Sequence, residues 1–360
     1  MKFFFPGLII GAIASLFLLT PTAGTEIDPE WHGGLRAIPA IEPSPRKSST
    51  PVRFFVKNKD TEFYLLGGNG AVVQSGSIED GLIAFSGDGQ FYVRFQKVGS
   101  EIEFFNVKGD RFWKIESMEY PYLSHNGKLI MLLNGDQSGI RFVDNNGNGI
   151  GAGPVSGRTC TAIAFPDHGD FGAAGFLDGT YFAVNARGKI IARGAAPRGN
   201  IVKGVAVSGN GAYTLVHYGN TQKDSIRIIE NASGGQEELE LKYVHPVKTS
   251  LYITDGGNGV VLDTDRILYV SGSGRVRFSI DIPPKRDGHS SISYQDGIFA
   301  AAYTMRNGSS KLLLFRDDGI VLFSREFPAE SFLDAVVRNG LVLLRGSDNL
   351  FCYRISRPSR

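Results

Sequence analysis

Seven times between Ser86 and Gly340 the chain repeats one phrase: a short β-prone run, a tight turn ending in Gly, and another β-prone run. The turns are Ser86-Gly87-Asp88-Gly89, Ser124-His125-Asn126-Gly127, Pro166-Asp167-His168-Gly169, Ser208-Gly209-Asn210-Gly211, Asp255-Gly256-Gly257-Asn258-Gly259, Tyr294-Gln295-Asp296-Gly297 and Val337-Arg338-Asn339-Gly340. Each final Gly follows the one before by 38 to 48 residues. A second series of turns is interleaved, at Gly70, Gly109, Gly147, Gly188, Gly234, Gly274 and Gly319. Such a period asks for one supersecondary unit used many times, which restricts the fold more than any compositional figure.

The unit from Thr161 to Ala192 shows its content. Thr161–Phe165, Phe171–Phe176, Thr180–Val184 and Lys189–Ala192 read as four short strands, joined by turns at Pro166–Asp170, Asp178-Gly179 and Asn185–Gly188. Short connections make these an antiparallel meander, and Ala162, Ala164, Ala173 and Ala174 suit crowded inner strands. One such meander leaves two edges bare and cannot cover both its faces. Meanders repeated about an axis cover one another, so the expected fold is all-β, a β-propeller of four-stranded antiparallel blades. A long β-sandwich gives no reason for the recurrence. Seven blades are expected, with eight as the alternative. The stretch from Glu330 to Ile355 supplies only three strands, so the ring is expected to close with an N-terminal strand at Ala71-Val72-Val73-Gln74. Val52–Lys57 and Glu62–Leu66 are then left over, and they are the case for eight.

Lys2 precedes a 17-residue apolar run, Phe3 to Leu19, with no charged residue before Glu26. Residues 1–24 therefore read as a signal peptide or a signal anchor, with the body extracytoplasmic. Residues 25–50, dense in Pro and Ser toward their end, read as a spacer, and residues 51–360 as the propeller. A net charge of +2 at 360 residues gives no global argument for nucleic acid. Cys160 and Cys352 lie 192 residues apart, a spacing of neither a disulfide framework nor a zinc site, and are expected as two separate buried thiols.

Tyr181–Ile191, Leu312–Phe323 and Leu268–Phe278 share a pattern: an apolar strand, a polar-Gly turn, then a short apolar strand. This pattern, over about Ser77 to Ile355, resembles the repeats of quinoprotein-type (PQQ-like) propellers. Trp113 stands as the candidate for the tryptophan that ends such repeats. That family holds quinone-dependent dehydrogenases and non-catalytic envelope scaffolds. The resemblance implies the scaffold branch here, because the enzymes' adjacent Cys pair and calcium-binding carboxylates have no counterpart in the chain. No cofactor and no metal site are expected, and the chain is not expected to be an enzyme.

Linear motifs agree. Asp144-Asn145-Asn146-Gly147-Asn148-Gly149 opens like a calcium loop, but Val155 occupies the twelfth position where a bidentate Glu belongs. It falls on a hairpin turn, as does Asp167-His168-Gly169-Asp170, whose side chains are expected in solvent. Neither G-x-S-x-G nor H-E-x-x-H occurs.

In a four-strand meander both series of Gly turns lie at one end of the blades. The other end carries the longer links, Arg193–Asn200, Lys242–Lys248 and Ile282–His289. Binding groups concentrate on such loops. Arg198, His245, Lys248, Lys285, Arg286 and His289 are thus expected to form a basic arc that binds a protein partner of acidic character. The first 24 residues would add contact with a membrane if retained. Two rivals stand beside this scaffold reading. One is a carbohydrate- or small-ligand-binding propeller using Tyr120, Tyr122 and Tyr243; the other is a hydrolase or lyase with residues converging on the central channel from several blades.

Overall fold

A serine sets the repeated turn. In the turns beginning at Ser86, Ser124 and Ser208, the Ser hydroxyl accepts the N–H five residues on, from Phe91, Leu129 and Tyr213, each at 3.0 Å. The fourth residue donates its N–H to the carbonyl of the same Ser. That closure needs a left-handed residue, and Gly89, Gly127 and Gly211 have φ of 71°, 69° and 70°.

The structure is a computed structural model and describes residues 25–44, 53–58, 62–77, 81–96, 98–246 and 248–356. Among the described residues the strands form eight antiparallel sheets. Sheet 2 holds Leu82–Phe85, Phe91–Phe95, Glu101–Asn106 and Arg111–Glu116; sheet 3 holds Tyr120–Leu123, Leu129–Leu133, Gly139–Asp144 and Gly149–Ser156. Sheet 4 is Cys160–Ala164, Phe171–Phe176, Thr180–Asn185 and Ile190–Ala195, and sheet 5 is Ile201–Val207, Tyr213–Gly219, Asp224–Glu230 and Gln236–Glu240. Leu251–Ile253, Gly259–Leu262, Arg266–Val270 and Val276–Asp281 make sheet 6. Lys285–Gln295, Ile298–Met305, Ser310–Arg316 and Val321–Phe327 make sheet 7. Leu333–Arg338, Leu341–Gly346 and Asn349–Ser356 belong to sheet 8. Each of the seven phrases has become a four-stranded sheet of the expected propeller. The segments left over make sheet 1, of three strands: Arg53–Asn58, Glu62–Gly67 and Val72–Ser77.

Period-two alternation packs one sheet on the next. All eight residues of Ile298–Met305 are buried. Phe299, Ala301, Tyr303 and Met305 pack with Tyr252, Val260, Leu262 and Tyr269 of sheet 6. Ala300 and Ala302, on the opposite face, pack with Leu333, Val342, Leu344 and Tyr353 of sheet 8. Similar clusters join sheets 1 to 2, 2 to 3, 3 to 4, 4 to 5 and 5 to 6. A further one joins sheet 8 to sheet 1 through Trp31, Tyr64, Leu66, Leu343 and Cys352. Each fully buried Val, Leu, Ile or Phe contributes about 1.5–3 kcal/mol.

The outermost strand of sheet 8 corrects the sequence reading. It is Glu26–Gly34, paired antiparallel with Asn349–Ser356, whereas Val72–Ser77 is the outer strand of sheet 1. The expected spacer thus opens with a working strand, followed by a short 3-10 helix, Leu35–Ala40, whose Leu35 and Ile38 are buried. Composition concealed it, because an outer strand can tolerate the missing N–H of Pro29. Arg354 clasps Glu30 with two bonds, of 2.8 and 2.9 Å. Residues 1–24 and 45–50 lie outside the described residues. Among those described, no helix is long and apolar enough to cross a membrane.

Both tryptophans make one contact. Trp113, on the last strand of sheet 2, donates Nε1–H to the Asn145 carbonyl at 3.0 Å and covers Gly147 in the third turn of sheet 3. Trp31, on the last strand of sheet 8, donates to the Gly68 carbonyl at 3.0 Å and covers Gly70 in sheet 1. A Cβ at Gly70 would lie 2.9 Å from the Trp31 ring, so ring and glycine require each other. Trp113 is therefore one of a pair. Cys160 and Cys352 are free and buried as expected, and burial pushes their thiols up to about 11 and about 12.

Trp31→Ala should cost about 3–5 kcal/mol in urea unfolding, as for other buried aromatic truncations. Trp31→Phe should lose much less, chiefly the one hydrogen bond. Equal losses for both would show that the ring's packing on Gly70 contributes little.

Candidate functional site

Turns between first and second strands meet around the axis. From sheet 8, an Arg338 guanidinium nitrogen donates to the Gly87 carbonyl of sheet 2, and Asp88 donates its N–H to the His125 carbonyl of sheet 3 at 2.7 Å. Sheet 1 has no first strand among the described residues, so sheets 8 and 2 touch here directly. Seven inner strands thus stand within eight sheets.

A pocket of about 750 Å³ opens at this end, lined from six sheets. Asp88, His125, Asp167, His168, Asp255, Asp296 and Arg338 come from the inner turns. Tyr252, Tyr269 and Tyr294 come from strands of sheets 6 and 7, Asp317 from the third turn of sheet 7, and Val336 from sheet 8. The Tyr252 and Tyr294 ring centroids lie 5.5 Å apart. Burial raises the phenols of all three tyrosines, which therefore stay protonated.

Asp167 reaches across the axis. One carboxylate oxygen accepts from Ser293 Oγ and from the Tyr294 N–H, both at 3.0 Å. Enclosure raises its carboxyl above the usual carboxylate range, against these bonds. The expectation that the Asp167–Asp170 turn lies in solvent fails for this residue, because the partner is three sheets away and leaves no local signal. His168 is exposed and sits 2.9 Å from Asp255 Oδ2, while Asp255 Oδ1 accepts the Asn210 N–H at 2.9 Å. Asp170 meets Lys128. Desolvation, with Arg338 nearby, depresses His125. The sequence placed binding at the long-loop end; this cavity is at the short-turn end.

The expected basic arc is broken. Arg198, Lys248 and Arg286 are exposed, but His245 and Lys285 are buried, and His289 lies outside the residues whose side chains are described. His245 belongs to an ionic network between sheets 5 and 6. Its Nε2 lies 2.9 Å from Asp263 Oδ1, and Asp263 Oδ2 accepts from Arg266 at 3.1 Å. Its carbonyl accepts from Lys203 Nζ at 2.6 Å, and the same ammonium meets Asp224 Oδ1 at 2.6 Å. Asp224 Oδ2 accepts from His217 Nε2 and from the His245 N–H, at 2.9 and 2.8 Å. Burial opposes ionisation of Asp224, but bonds from His217, Lys203 and the His245 N–H prevail and hold its carboxyl low. Burial drives His217 below the usual histidine range, against its bond to Asp224. A lone His in a link looks like a surface group; only the tertiary pairing with Asp263 shows otherwise.

The calcium-like loop closes on itself, with Asp144 Oδ1 accepting the N–H groups of Asn146 and Asn148. Among the described residues no cluster of three His, Cys, Asp or Glu side chains fits a metal ion.

A histidine depressed in the folded state binds its proton more readily when unfolded. His217 therefore contributes stability that is intact above about pH 6.5 and is lost as pH falls below it. Melting temperature should drop between about pH 7 and 5, and His217→Gln should flatten that slope. An unchanged slope in the variant would remove His217 from the account.

No family model matches the chain, and no curated protein matches its sequence. Its fold is similar to the crystal structure of BamB from Moraxella catarrhalis, with TM-score 0.60 and 11% identity over 91% of this chain and 100% of that one. It is similar to KlHsv2 with loop 6CD replaced by a Gly-Ser linker, at TM-score 0.53 and 12% identity, over 76% of this chain and 93% of that one. Raptor from Chaetomium thermophilum matches at TM-score 0.50 and 12% identity, over 76% of this chain but 28% of its own. At such identities the likeness is one of fold.

Proposed function

We propose that the chain is an extracytoplasmic, non-catalytic β-propeller that docks a protein partner on the end carrying its longer loops. One observation carries this reading: the two most exposed large apolar side chains among the described residues, Val98 and Met118, both stand at that end. Val98 and Leu177 stand at turns between second and third strands, and Met118 and Val244 in links between sheets. Val98 is 85% exposed and Met118 69%, so no sheet-to-sheet packing accounts for them. Arg198, Lys248 and Arg286 add positive charge at the same end, which suits a partner with acidic groups around an apolar centre. A scaffold braced on both faces of each sheet loses little freedom on binding. The PQQ-like resemblance and the fold likeness to BamB support placement in a cell-envelope complex. The apolar run in residues 1–24 supports export, with a membrane tether if that run is retained.

Crosslinking in native envelopes followed by capture of the tagged chain tests this. Met118→Asp with Leu177→Asp should abolish partner recovery while unfolding free energy stays within about 0.5 kcal/mol of wild type. Undiminished recovery from the double variant would move the docking surface elsewhere.

A second reading, hydrolase or lyase, is favoured by the His168–Asp255 pair and the carboxylates that converge on the channel mouth. A His–Asp pair with a carboxyl group raised above its usual range nearby suits general acid–base chemistry. The same contacts also tie sheets 4, 5 and 6 together, since Asp255 holds the Asn210 N–H as well. Turnover of any substrate that His168→Gln abolishes would put this reading first.

A further inference from the structure

The central pocket asks for a ligand that the docking end does not supply. Five carboxylates line it, Asp88, Asp167, Asp255, Asp296 and Asp317, against a single guanidinium, Arg338. They are dispersed over sheets 2, 4, 6 and 7 rather than gathered, and no three of them fit one metal ion. A compact divalent cation is therefore poorly served, since it needs six or more oxygens at one centre. The rest of the wall is mixed, with the rings of Tyr252, Tyr269 and Tyr294 and the side chain of Val336, 38% exposed, among polar groups such as Thr254, Asn258 and Gln295. Dispersed carboxylates with tyrosine rings and a valine among them suit a molecule of separated positive charges on an aliphatic chain.

We propose that this pocket binds an alkylammonium ligand, either a free polyamine or the lysine side chains of a protein segment inserted along the axis. Asp317 lines the pocket with Tyr269 and Tyr294, whose phenols are raised first by burial and next by the Asp317 charge. It therefore acts on the aromatic side of the pocket, where an ammonium group would gain a carboxylate and ring faces together. The methylene chain would lie along Val336 and the tyrosines. A cavity of about 750 Å³ is ample for a polyamine or a few residues of peptide. This site is at the end opposite the proposed docking surface, so the two stand or fall separately.

Calorimetric titration of the full-length chain with spermidine, with tri-lysine and with glutarate as the anionic control is the test. Spermidine, tri-lysine or both should bind at low salt and weaken as salt screens the carboxylates. Binding by spermidine alone would identify a free polyamine, and preference for tri-lysine a protein segment. Asp317→Asn should cost about tenfold in affinity, the order of one charge-assisted hydrogen bond. Val336→Lys, which brings an ammonium group into the pocket from the chain itself, should abolish binding without unfolding the protein. Either variant suffices if the other fails to fold. The proposal is overturned if neither amine binds, if glutarate binds as well, or if the folded variants bind like wild type.

Discussion

A sheet with apolar side chains on both faces has to be covered twice, and everything else in this molecule follows from that requirement. Ile298–Met305 shows it plainly: alternate residues face sheets 6 and 8, and none of the eight is left to solvent. No sheet here can stand alone, and each apolar cluster belongs to two sheets at once. Small residues at Ala300, Ala301 and Ala302 let neighbouring sheets approach. The same crowding makes the serine-and-glycine turn worth repeating, because each inner turn must pack against the next.

What could be seen in the sequence was whatever the repeat required locally. Ser86, Ser124 and Ser208 with their glycines announced the turns, and Val155 removed the calcium loop on chemical grounds. Residues paired over long distances stayed hidden. Glu26–Gly34 has a Pro and no apolar alternation strong enough to declare a strand; its pairing with Asn349–Ser356 and the Arg354–Glu30 clasp are tertiary facts. Blade number was ambiguous for a physical reason: the described residues form seven inner strands and eight sheets, so both counts describe them. The site was the least legible part. Asp167 depends on Ser293 and Tyr294, more than a hundred residues on, His245 on a pairing with Asp263, and Lys285 opens a strand paired with Ile298–Met305.

The two ends of the propeller differ in chemistry as well as in loop length. At the short-turn end, acidic groups and tyrosine rings surround a cavity on the axis. At the other, apolar side chains stand in the open among basic ones. Between them, in the joint of sheets 5 and 6, Lys203, His217, Asp224, His245 and Asp263 form a fully desolvated ionic group. Such a group is weak evidence for net stability, but removing one partner of the Lys203–Asp224 pair leaves the other charged and buried. It thereby ties His245 to both sheets, which fixes where the neighbouring Val244 emerges.

The strand from Glu26 to Gly34 sits beside residues made some 330 positions later. During synthesis it has no partner until the last strand appears, a wait on the order of tens of seconds at ordinary elongation rates. Through that interval sheet 8 is incomplete and sheet 1 lacks its neighbour. Trp31 and the clusters around it are then exposed together. The pairing that completes sheet 8 is thus also its longest-lived vulnerable state, and a holding chaperone would have most to protect at Glu26–Gly34.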